Sequence, residues 1–321
     1  VPGIMATRTL KSPRERLATL LTVPFMNCGA KLPVFALLVA AFFATHKALV
    51  MFVITLVSWA GALLVAKLLR STVVKGESTP FVMELPPYRL PTFKGILIHT
   101  WERTWQYVRK AGTVILGISI VLWAMMTFPG TPGSLRQQFE SERQALLAAA
   151  PAIAAEIQNA GEEAELSDAA QMVQDQIGVI DAREAESGLR YSLAGRIGTA
   201  LESLSQFAGF DWRTNIALVG GFAAKEVVVS TLGTAYSLGE VDPEETGSLA
   251  DKLSVTPGWR PLTALSLIVF TMFYAPCFVS VVCIAREAGS WKWGAFSIVF
   301  NTVLAFSLAV VVYQVGTLLG V

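Results

Sequence analysis

The chain has 321 residues, of which 53% are apolar and 15% charged, with a formal net charge of +1. A charged share so far below the roughly 25% of soluble domains excludes an ordinary soluble globule. The balanced charge, with no basic patch, argues against nucleic acid as a partner. Three cysteines, at 28, 277 and 283, have neither CxxC nor zinc-site spacing, so a disulfide framework is not expected.

Four runs carry no Asp, Glu, Lys or Arg: Ala48 to Ala66, Ala111 to Leu135, Pro261 to Ala285 and Gly294 to Val321. A membrane-crossing helix needs about 20 such residues. The expected fold class is therefore an all-α, polytopic helical membrane protein. The chain starts at Val1, with no methionine and no recognisable signal peptide, and reads as a fragment of a longer protein.

In chain order, Val1 to Arg16 is mixed, with Arg8, Lys11, Arg14 and Arg16 forming a basic flank. Leu17 to Thr45 is apolar but interrupted, and Pro24 and Pro33 are expected to split it. Between them lies Pro24-Phe25-Met26-Asn27-Cys28-Gly29-Ala30-Lys31-Leu32-Pro33. Backbone groups freed by such breaks are tolerated in hydrocarbon only against protein or a water-filled cavity, so this stretch is expected to line something.

Lys47 to Leu69 reads as a plain crossing helix, and the proline-rich Ser71 to Pro91 as a stiff loop. Thr92 to Lys110, with Trp101, Trp105 and Tyr107 among basic residues, suits an interfacial helix. It leads directly into a crossing segment from Ala111 to Phe128, which Pro129 to Gly133 stops. Ser134 to Glu186 has far more acids than bases and reads as a soluble helical insertion. Leu193, Ile197, Leu201 and Leu204 give Ser192 to Phe207 the period of an amphipathic helix.

Thr214 to Leu238 is apolar with Lys225-Glu226 at its centre, Gly239 to Arg260 reads as a polar loop, and Pro261 to Ala285 is broken at Tyr274-Ala275-Pro276-Cys277. A final long helix fills Trp293 to Val321. The basic residues between Lys67 and Lys110 place that side in the cytoplasm and the acidic insertion outside. If both central broken segments crossed fully, Arg286 and Lys292 would then lie outside, against the same rule. One of the two segments is therefore expected to enter and return on one side, as discontinuous helices of transporters do. A faint repeat, Val1 with Arg8 and Val279 with Arg286, points to a duplicated motif.

The chemistry-bearing candidates are Cys28, Cys277, Met26 and Glu226. Thiol, thioether, the Asn27 amide and freed carbonyls form a donor set of mixed softness that suits late divalent transition metals better than magnesium or calcium. Buried cysteine is equally a small apolar residue, and that reading is favoured for Cys283. Glu226 sits mid-segment, where an ionisable group usually faces a bundle interior or pathway; the plainer reading is a buried clamp between helices. Lys31 is expected to snorkel to the surface, and Glu84 to act as a structural latch near Arg89. Neither HExxH nor a phosphate-binding G-x-x-x-x-G-K-[ST] loop occurs, which leaves an intramembrane enzyme as a lesser alternative.

Several strings resemble the membrane domain of the ferrous iron transport protein B family. They are Val1 to Arg8, Pro24 to Val34, Phe81 to Pro91, Gly221 to Val228, and Pro276-Cys277 on through Arg286-Glu287 to Trp293. The resemblance spans nearly everything except the acidic insertion. It implies a bacterial inner-membrane importer of Fe2+ with two gate motifs and broken helices. It also implies a GTP-binding domain and first membrane segments lying before Val1, together with a first-gate cysteine cut off with them. By match to the motifs, Cys28 and Cys277 are the expected metal-ligating thiols, with Glu226 as a third participant; Met26 joins the set as the thioether read from the residues themselves.

The implied organisation is a gate remnant and first membrane helices over residues 1–128, with an interfacial helix at 92–110. The insertion then occupies 129–210, and the second gate and last helices 211–321. No catalytic residue and no resident cofactor are expected; Fe2+ is the cargo, and GTP belongs to the preceding domain. Implied partners are the lipid bilayer, that GTPase domain and small cytoplasmic Feo accessory proteins, and a homo-oligomer is allowed. The alternative is a carrier of another solute, such as a nucleoside, on a related gate.

Overall fold

A computed structural model describes residues 2–10, 12–74, 92–159, 167–236 and 247–320. The Phe81 to Pro91 string, Glu84 within it, and the side chains of His99, Arg103, Tyr107, Arg109 and Lys110 lie outside the described residues. Among the described residues all regular structure is helical. Among these residues four segments are long and apolar enough to cross a membrane: Pro13–Phe42, Ala44–Thr72, Pro261–Glu287 and Trp291–Leu319.

The helices are α1 (Pro2–Ala6), α2 (Pro13–Thr22), α3 (Leu32–Phe42), α4 (Lys47–Thr72) and α5 (Phe93–Thr127). The expected interfacial and crossing segments thus form one continuous helix, α5, on which Trp101 and Trp105 stack at 6.1 Å and face outward. The insertion consists of α6 (Gly133–Ala149), α7 (Pro151–Asn159) and α8 (Asp168–Tyr191), followed by α9 (Leu193–Ser205). The remainder is α10 (Trp212–Ala223), α11 (Val227–Ala235), α12 (Gly247–Val255), α13 (Pro261–Phe273), α14 (Phe278–Glu287) and α15 (Trp291–Leu319).

The packing of α15 follows membrane rules, although α3 and α13 bury large apolar side chains in the core. On α15 the buried positions are Gly294, Ser297, Asn301, Ala305 and Ala309, all small or polar, while Val299, Val303, Val311 and Val315 are exposed. Lipid tails are as apolar as valine, so burying large apolar groups between helices gains little, and small residues win because they allow close approach. A β-carbon on Gly316 would lie 2.2 Å from Leu262 of α13. Ser266 of α13 donates at 2.8 Å to the Ala208 carbonyl and at 3.2 Å to the Ala309 carbonyl, which ties α13 to α15. The same logic inverts α9. Its Ala194, Gly195 and Gly198 are buried, and its apolar stripe of Leu193, Ile197, Leu201 and Leu204 turns outward.

The first break falls where the prolines predict, with one difference. Pro24 ends α2 in a 3-10 turn (Val23–Phe25), and Met26 and Cys28 are extended. Pro33 does not break anything, because it sits in the first turn of α3, where a missing N–H has no partner to lose. The third broken segment also matches its sequence: α13 stops at Phe273, Tyr274 is extended, and Pro276 precedes the start of α14.

The middle broken segment folds back on itself. α10 ends at Ala223, Ala224 is extended, and a turn at Lys225-Glu226 leads into α11. A β-carbon on Gly220 would lie 3.4 Å from the Thr231 hydroxyl, and one on Gly221 2.3 Å from Val228. Residues 220 and 231 of a straight helix stand about 16 Å apart along the axis at 1.5 Å per residue. The two half-helices therefore form a hairpin with Ala224 to Glu226 at its tip, and this is the segment that enters and returns. Arg8 and Arg16, near the start of α2, both donate to the Glu287 carboxylate at the end of α14, Arg16 at 2.6 Å. Arg286 and its neighbours thus share an end of the bundle with the N-terminal basic flank, and the positive-side conflict disappears.

The polar stretch before α13 is more structured than its composition suggests. Within it α12 buries Leu249, Ala250 and Leu253 against α3. An i, i+4 apolar pair in a short polar segment carries too little periodic signal to stand out. In the insertion, Arg143 of α6 reaches Asp181 at 2.6 Å and Glu184 at 2.9 Å on α8. These hydrogen bonds, that to Asp181 first, hold its guanidinium pKa above the usual arginine range. Glu186 accepts from Arg213, and Arg190 lies over the Trp212 ring at 5.4 Å, so α8 is fastened to the base of α10.

Candidate functional site

The three breaks converge. A cavity of about 300 Å³ is lined by Met26, Cys28 and Lys31 from the first, Lys225 and Glu226 from the second, and Pro276, Cys277 and Ser280 from the third. All four candidate residues, Cys28, Cys277, Glu226 and Met26, border this one space, although 249 positions separate the two thiols in sequence. The cavity is open at Met26, which is 49% exposed, and at Cys28 and Glu226, which are also exposed. It is closed at its other side by Lys31 and Lys225, each 3% exposed.

Around it, short bonds fix the broken backbone. Ser58 of α4 donates at 2.8 Å to the Phe25 carbonyl, and the Phe25 ring is buried 5.9 Å from that of Phe273. The Cys277 Sγ lies 3.3 Å from the Ser280 hydroxyl one turn into α14. Among the described residues no three His, Cys, Asp or Glu side chains stand close enough to hold a metal ion as a ready-made cluster. What the cavity offers is two thiols, one thioether and one carboxylate drawn from three broken segments, with backbone carbonyls between them.

Two lysines behave differently from the sequence reading. Lys31 does not snorkel: its Nζ donates at 2.8 Å to the Met272 carbonyl and at 3.2 Å to that of Pro24. The acceptors outcompete the surface because breaks have left them without N–H partners. At the hairpin tip it is Lys225 that is buried, not Glu226. Among the described residues the Lys225 Nζ has no hydrogen-bond partner, and it rests 3.9 Å from the centre of the Tyr274 ring, a cation–π contact. Glu226 points into the open side, which the clamp reading did not anticipate. Cys283 is absent from the cavity lining and packs against the apolar core, as expected of a small apolar residue.

Fold and site together define a polytopic all-α membrane domain of the discontinuous-helix type, with its breaks gathered around one central cavity. A model described as ferrous iron transport protein B C terminus matches residues 51–103, and a gate model described as nucleoside recognition matches residues 108–291. A Fe(2+) transport protein A/Fe(2+) transporter FeoB fusion protein of Porphyromonas gingivalis is 37% identical over 99% of this chain and 36% of its own length. The Fe(2+) transporter FeoB of Helicobacter pylori is 35% identical (99% and 47%), and that of Campylobacter jejuni 32% (99% and 45%). The chain belongs to the gate family, and these Fe(2+) transporters match 99% of its length. It spans less than half the length of these relatives. No solved structure matches it. It is a multi-pass protein of the bacterial inner membrane.

Proposed function

We propose that this chain is the transport part of a bacterial Fe2+ importer, and that Fe2+ exchanges part of its water shell for Cys28, Cys277 and Glu226, with Met26 at the mouth. What supports this reading is that side chains from three separately broken segments line a single cavity. Soft thiolate and thioether donors favour a late transition ion over magnesium or calcium, and their placement on different segments keeps the site weak enough to release it. The relatives' names, Fe(2+) transporter among them, point the same way. In the whole protein a GTP-binding domain and small Feo accessory proteins would bias the opening; the fusion relative carries such a protein in one chain.

The gate model's description supports a second reading, a nucleoside carrier. Against it, the cavity lining includes, among the described residues, no aromatic ring on which a base would stack. It is also at the small end of the roughly 300–1,000 Å³ of organic-ligand pockets.

The test is the double substitution Cys28→Ser with Cys277→Ser in the full-length protein, with labelled Fe2+ and a labelled nucleoside as cargoes. Fe2+ uptake is expected to fall by more than about tenfold, as losses around metal sites do. Undiminished Fe2+ uptake removes both thiols from the path, and nucleoside uptake would install the second reading.

A further inference from the structure

Lys31 is a buried cation that the proposed ligand set does not use, and its two acceptors share an origin. In an unbroken α13–α14 helix the Met272 carbonyl would accept from the N–H of residue 276, but residue 276 is Pro276 and has none. The Pro24 carbonyl lies in the 3-10 turn just before the extended Met26 to Cys28 stretch, so its helical partner is gone as well. One oxygen thus comes from each of two broken segments, and both are bound by a single ammonium at 2.8 and 3.2 Å. Lys31, Pro24 and Pro276 all border the cavity that holds the thiols. Lys225 offers a contrast, since its ammonium lies on a ring face and holds no carbonyl.

We infer that the Pro24 and Met272 carbonyl oxygens form a second, oxygen-only cation subsite next to the thiol cavity, and that the Lys31 ammonium is its tethered occupant. A divalent cation arriving from the thiols takes the two carbonyls and displaces Lys31. The ion then moves from soft sulfur donors to hard oxygen donors, the order that favours release into water. While no ion is present, the ammonium keeps the two broken segments pinned together and the subsite filled. This inference rests on the importer reading for the direction of arrival.

The experiment uses the full-length protein in anaerobic proteoliposomes. Lysines are acylated with a small amine reagent, with and without Fe2+, and labelling at each position is read by mass spectrometry while Fe2+ uptake is measured in the same preparation. Labelling of Lys31 is expected to rise about fivefold with Fe2+, in proportion to the displaced population, while exposed Lys292 stays constant. In the Cys28→Ser, Cys277→Ser variant the rise should vanish. Flat Lys31 labelling in vesicles that import Fe2+ overturns the subsite and leaves the importer standing. A rise without import retains the subsite and overturns the importer, and a rise that persists without the thiols overturns the order of the two sites.

Discussion

Substitution of Gly221 by alanine puts the hairpin to a direct test. The added β-carbon would lie 2.3 Å from Val228 Cγ2, well inside the 3.5–4.0 Å or so of favourable carbon contact. Val228 is buried and β-branched on a helix, so it has no second rotamer to escape into. Overpacking of this kind costs about 1–3 kcal/mol, and the helix preference for alanine over glycine returns about 0.5–1 kcal/mol. A net loss of about 1–2 kcal/mol is expected, relieved by splaying α10 from α11 and drawing Glu226 away from the thiols. Val228→Ala alone should cost about 2 kcal/mol as a truncation in a packed site. In the double variant the alanine methyl fills part of the space the valine leaves, so the combined loss should fall short of the sum by about 1–3 kcal/mol. The measurement is a double-mutant cycle on unfolding in detergent, with Fe2+ uptake followed in parallel. In a continuous crossing helix residues 221 and 228 would stand about 10 Å apart along the axis and could not couple. Additive losses would therefore refute the fold-back, and with it the route by which Glu226 reaches the cavity.

Two further outcomes follow from the ion pairs. Glu287→Gln keeps the shape of a carboxylate whose side chain is 8% exposed but releases Arg8 and Arg16. Charged hydrogen bonds of this kind are worth about 1.5–3 kcal/mol, so amide exchange over residues 2–10 should quicken about tenfold or more while α15 is unaffected; unchanged exchange would show that α1 is held by packing alone. Arg143→Ala removes the link between α6 and α8 and leaves Glu140, Asp181 and Glu184 facing one another. Because these groups are partly exposed, the expected loss is only about 1 kcal/mol. It should be seen as about fivefold faster exchange in α6 and α8, with Fe2+ uptake intact.

What the sequence determines here is local. Proline stereochemistry and uncharged length are properties of a few neighbouring residues, so the crossing segments, the breaks at Pro24 and Pro276, the helical insertion and the amphipathic period of α9 were all legible, whereas the outward turn of the α9 stripe was not. The candidate thiols stand out for the same reason: Cys277 directly follows Pro276, and Cys28 lies four residues after Pro24. Whether Thr214 to Leu238 crosses or returns was not, because a break at Lys225-Glu226 permits either. The choice is made by Gly220 and Gly221, whose bare backbones let α11 lie against α10. Nor could the sequence tell Lys31 from a snorkelling lysine, since one of its acceptors is 241 residues away. At the hairpin tip, Lys225 and Glu226 are neighbours with opposite fates: the Lys225 Nζ is buried against the Tyr274 ring, and Glu226 is exposed. A break frees a carbonyl locally, but what comes to satisfy it depends on which segments meet, and that is settled by tertiary packing alone.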